Sequence, residues 1–85
     1  MKPGRIQLQV EQVDALLDDL CRDYGFCLPP GARTRFRNSP PTAVERFADV
    51  VFECEGLDPR SAQHSKLHAE VTRRVAEHFD MARQP

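Results

Sequence analysis

The sequence predicts an all-α fold: a small bundle of three principal helices, near residues 9–24, 42–55 and 59–82, with a short helical turn near 30–37. Three observations predict it. Apolar residues recur at intervals of three and four through each long segment, which places them on one face of a helix. Gly25 and Gly56 stand where these runs stop, and glycine suits the left-handed residue that closes a helix. Asp58 before Pro59, and Thr42 three residues before Glu45, are the residues that open one.

The first eight residues include Pro3 and Gly4 and read as a flexible or extended tail, leaving 9–85 as a single helical domain. Ile6, Leu8 and Val10 alternate with glutamines, the period of a strand. No later stretch offers a partner strand, so the segment is taken as an extended lead into helix 1. In that helix Val10, Val13, Leu17, Leu20, Cys21 and Tyr24 form the inner face, while Glu11, Asp18, Asp19 and Arg22 face away. Phe26, beyond Gly25, can fold back onto Leu20 or Cys21.

Pro29 and Pro30 disfavour helix in the residues before them, and Pro30 can itself start one. Leu28, Ala32 and Phe36 are then placed to touch the core, before Asn38, Ser39, Pro40 and Pro41 interrupt. Helix 3 opens on a capping box, in which Thr42 and Glu45 each accept one orphan backbone N–H. Val44, Phe47, Ala48, Val51 and Cys54 share its inner side. Asp58 and Pro59 then start the longest helix, on which His64, Leu67, His68, Val71, Val75, His78, Phe79 and Ala82 fall within an arc of about 120°. Such an apolar arc must be covered.

A chain of 85 residues buries only about 60–65% of the surface its unfolded form exposes. An apolar fraction of 40%, with 7% aromatic and no Trp, makes a modest core. The fourth helix therefore predicts association. The Leu67, Val71, Val75, Phe79 face is the expected protein-binding surface, and the partner is another protein or a second copy in a homodimer. No run reaches the roughly 18 apolar residues of a membrane span, and Met1 to Val10 lacks a signal-peptide core. The expected location is the cytoplasm. Three cysteines, an odd number with no export signal, are expected as thiols rather than a disulfide framework. A net charge of −1 argues against nucleic acid or an anionic membrane as partner.

Charge is nonetheless uneven. Glu11, Asp14, Asp18, Asp19 and Asp23 crowd helix 1, and Arg33, Arg35 and Arg37 follow it. The three arginines with Phe36 between them are a candidate anion-binding cluster, since guanidinium forks hold phosphate or carboxylate. Pairing with helix 1 ranks above nucleic-acid contact, so a nucleic-acid-associated regulator is the alternative reading. Helices 3 and 4 also compare with a helix-turn-helix reader, but the second helix carries too broad an apolar face.

His64 and His68 have the four-residue spacing of two metal ligands on a helix, which gives a second, metal-binding alternative. His78 lies about 21 Å further along the axis and cannot complete that set. Cys21 and Cys27 are too widely spaced for the usual zinc pair. The preferred reading makes both histidines half-buried flanks of the arc, with Cys21 and Cys54 as small hydrophobes and Cys27 packed at a corner. The acids of helix 1 read as a solvated face rather than as paired catalytic carboxylates. With no phosphate loop, nucleophile elbow or closed ligand set, no enzyme, cofactor or metal is expected. The predicted function is a non-catalytic, self-associating protein-interaction module.

Overall fold

The computed structural model describes residues 8–83. It is built of four α-helices, α1 (Val10–Tyr24), α2 (Pro30–Asn38), α3 (Val44–Cys54) and α4 (Ser65–Arg83), with a one-turn 3₁₀ helix (Ala62–His64) before α4. No strand occurs among the described residues. The all-α class and the order of the elements are those the periodicity predicts.

α1 opens with the Gln9 N–H donating to Gln12 Oε1 at 2.7 Å, which satisfies one orphan donor of the first turn. It closes on Gly25 at φ 77°, whose N–H donates to the Cys21 carbonyl at 3.0 Å, while the Phe26 N–H reaches Leu20 at 3.1 Å. α3 ends in the same manner: Gly56 adopts φ 77°, its N–H donates to Glu53, and the Leu57 N–H donates to Phe52 at 2.9 Å.

Two helix starts differ from expectation. α3 begins at Val44, with Ala43 rather than Thr42 in the capping position. The longest helix begins at Ser65, six residues after Pro59, because local hydrogen bonds hold the intervening chain in turns. Asp58 Oδ1 accepts the Arg60 N–H at 3.0 Å, and Ser61 Oγ then accepts the Gln63 N–H of the 3₁₀ turn at 3.3 Å. Asp and Ser side chains offer the backbone this alternative to a continuous helix.

The four helices close on one core. Val13, Leu16, Leu17 and Leu20 of α1, Phe47, Ala48, Val51 and Phe52 of α3, and Val71, Val75 and Phe79 of α4 are buried in it, with Ala32 and Phe36 from α2. All five phenylalanines take part: Phe36 lies 4.8 Å from Phe47, Phe47 stands edge-on to Phe79 at 6.1 Å, and Phe26 edge-on to Phe52 at 5.2 Å. The radius of gyration, 12.3 Å, is near the roughly 12 Å expected of a folded chain this long.

The α1 face is rotated slightly from its predicted position. Leu16 is buried and Val10 is 48% exposed. Of the expected tail, residues 1–7 lie outside the described residues; Leu8 is described and sits in the core, 3% exposed, so the packed chain begins before the first helix.

Candidate functional site

The face expected to await a partner is filled from within the chain. Val71 and Val75 are fully buried, Phe79 is 2% exposed and Leu67 is half-buried against the same core. α1 and α3 cover this side of α4, so Val71, Val75 and Phe79 pack into the chain's own core, with Leu67 at its margin. Leu8 of the extended lead and Leu16, outside the predicted inner face of α1, are both buried and add to this cover.

The arginine cluster divides. Residues two apart on a helix point about 200° apart, so Arg35 cannot share a side with Arg33 and Arg37. Arg33 Nη2 lies 2.9 Å from Asp18 Oδ1 and also donates to the Asp14 carbonyl at 3.3 Å, leaving its buried Nε without an acceptor among the described residues. Arg37 Nε donates to Asp14 Oδ1 at 2.9 Å. The Arg37 hydrogen bond holds the Asp14 carboxyl below its usual range, helped by the charges of Arg37 and Arg33 and opposed by desolvation. Two of the three candidate anion ligands are therefore satisfied by α1.

Arg35 lies on the other side, at a cleft of about 530 Å³ between α2, α3 and the chain joining them. Its walls are Ala32 and Phe36 of α2, Pro40 and Pro41 of the connection, and Val50 and Cys54 of α3. Arg35 and Arg46 line it as well, and no acidic residue does. Both arginine side chains are exposed, and neither makes an ion pair or hydrogen bond among the described residues. The prolines keep the connection from continuing either helix. Sequence reasoning missed this site because it left Arg46 on a solvated side and Cys54 in the core. Cys54 is instead exposed and is the free cysteine of the chain.

The histidines are engaged inside the fold. His68 Nε2 pairs with Asp49 Oδ1 of α3 at 2.8 Å, and its ring stands edge-on to Phe52 at 5.0 Å. His64 belongs to the 3₁₀ turn, not to α4, and its ring centre lies 6.4 Å from that of Phe52. The two rings thus flank one phenylalanine. No group of three His, Cys, Asp or Glu side chains placed to hold a metal occurs among the described residues.

A second seam joins α1 to α4. His78 Nε2 pairs with Asp19 Oδ2 at 2.7 Å, Arg74 Nη1 with Asp23 Oδ2 at 2.6 Å, and Arg22 bridges to both Asp19 and Asp23. The Arg74 guanidinium also lies over the Tyr24 ring, 5.6 Å from its centre. The His78 hydrogen bond lowers the Asp19 pKa against the opposing effect of burial, with Arg22 adding to it; Arg74 does the same for Asp23. The acids read as a solvated face are thus an internal electrostatic strap.

Cys21 and Cys27 are joined by a disulfide across the Gly25 turn, with Cα atoms 4.3 Å apart. This corrects the expectation of free thiols. The left-handed glycine reverses the chain and brings Cys27 back over the last turn of α1.

No protein-family model matches the chain, and neither a curated protein nor a solved structure does.

Proposed function

We propose that the protein is a non-catalytic protein-interaction module whose contact surface is the α2–α3 cleft. The observation that carries this reading is the cleft's composition, apolar walls and two unpaired arginines, whereas a second cleft of about 530 Å³ between α1 and α2 is lined by Arg33 and Arg37 already paired with Asp18 and Asp14. The volume of the α2–α3 cleft lies within the roughly 300–1,000 Å³ of ordinary ligand sites. The lining offers no carboxylate or histidine to act as general acid or base, which supports recognition rather than chemistry. The nucleic-acid alternative loses Arg33 and Arg37 to Asp14 and Asp18, and the metal alternative loses His68 to Asp49.

No helix among the described residues is long and apolar enough to cross a membrane. The sequence reading places the chain in the cytoplasm, whereas the Cys21–Cys27 bond favours an oxidising compartment. Alkylating the chain inside cells and mapping it without reductant decides between them.

Cys54 supplies a test of the interaction reading, because benzophenone maleimide attached there points a photo-crosslinker from the cleft. The expected result in a native extract is a defined polypeptide adduct from Cys54. It should be absent when the label sits on exposed Ala69→Cys in a Cys54→Ser background. Adducts formed equally from both positions, or from neither, overturn the reading. An adduct of twice the chain mass makes the partner a second copy.

A further inference from the structure

We infer that the occupant of the α2–α3 cleft is an acidic segment of a partner protein, with one apolar side chain entering between the helices and carboxylates meeting Arg35 and Arg46. This rests on the interaction reading of that cleft and specifies the partner's chemistry.

Arg22, Arg33, Arg37 and Arg74 each meet an aspartate of α1, and those pairs neutralise the seams on which they lie. Arg35 and Arg46 meet none, and they share a cleft whose lining includes no acid. Two guanidinium forks beside apolar walls complement carboxylates set next to an apolar residue. Four acids of α1, Asp14, Asp18, Asp19 and Asp23, could supply them from a second copy only by leaving their own pairs.

The mode of recognition follows from what the cleft lacks. No sheet edge borders it among the described residues, and Pro40 and Pro41 have no N–H to donate, so the occupant is held by its side chains rather than as an added strand. Phe36 is only 3% exposed, and its ring lies against Phe47, so it presents no open face on which a nucleic-acid base could stack. Ala32, Phe36 and Val50 instead make an apolar floor suited to a Leu, Met or Phe side chain.

The probe is a phage-displayed library of random octapeptides selected on the intact chain. Its selected sequences are then made synthetically and measured by fluorescence anisotropy. The expected outcome has four parts: selected peptides carry Asp or Glu flanking an apolar residue, they bind more weakly as salt rises, they lose at least tenfold in affinity to Arg35→Glu or Arg46→Glu, and they slow the reaction of Cys54 with a thiol reagent. Both arginines are exposed, so circular dichroism of these variants should match the parent. Peptides that protect Cys54 but carry no acid and ignore both charge reversals overturn the acidic partner while leaving the cleft as the interaction site. Peptides that bind without protecting Cys54, or an absence of any selected peptide, overturn both readings. Displacement of the peptides by mixed-sequence single-stranded DNA with equal affinity overturns the choice of a protein partner.

Discussion

Asp19 on α1 accepts a hydrogen bond from His78 on α4 at 2.7 Å, joining residues 59 apart in sequence. His78 is nearly buried, with 10% of its side chain exposed, so its ring nitrogen depends on this acceptor. Asp19→Ala leaves that nitrogen unpaired and is expected to cost about 1–3 kcal/mol in urea unfolding at neutral pH.

The same pair sets the response to acid. Asp14, Asp19 and Asp23 have pKa values lowered in the folded chain, Asp19 chiefly by the His78 hydrogen bond and the others by Arg37 and Arg74. A lowered folded pKa contributes stability that is fully present above the unfolded value, about 3.9 for Asp, and is lost as pH falls through the folded one. Unfolding midpoints should therefore hold steady down to about pH 5 and fall below about pH 4, with a shallower fall in Asp19→Asn. An acid limb unchanged by that substitution would remove Asp19 from the account.

Phe47 touches both Phe36 and Phe79 and is fully buried. Phe47→Ala should lose about 3–5 kcal/mol, a large share of the roughly 5–10 kcal/mol available to so small a domain. Thermal melts by far-ultraviolet circular dichroism should show a broad, early transition or none.

The disulfide closes a short ring, for which chain entropy gives about 2 kcal/mol. Cys27→Ser, at an exposed position, should lower Tm by roughly 8–15 °C, and reductant should have the same effect on the parent but none on the variant. A parent Tm indifferent to reductant would count against the bond.

Gly56 isolates a backbone effect. A Cβ there would meet nothing within 4 Å, yet φ is +77°, so Gly56→Ala should cost about 1–2 kcal/mol from backbone strain alone. Gly56→Asn should recover part of that loss, because Asn tolerates the left-handed region.

Much of this fold was legible in the sequence, because helix periodicity and the glycine stops at 25 and 56 are local signals. The start of α4 was not, since Asp58 and Ser61 can cap turns as readily as helices and only the geometry shows which they do. The disulfide escaped because an odd cysteine count drew attention away from a visible cue, two cysteines straddling a left-handed glycine. The candidate site was the least legible. Arg33, Arg35 and Arg37 read as one cluster along the chain, whereas helical geometry gives two to the fold and one to the cleft. Its companions Arg46, Val50 and Cys54 come from another helix, a proximity that no local pattern encodes.

The ring closed by Cys21 and Cys27 has a chemical corollary: it encircles the exposed Arg22, a trypsin target. Cleavage after that arginine opens the polypeptide yet leaves the two fragments travelling as one molecule, and they part only when a reductant splits the disulfide. At this corner the protein can lose a peptide bond and remain covalently whole.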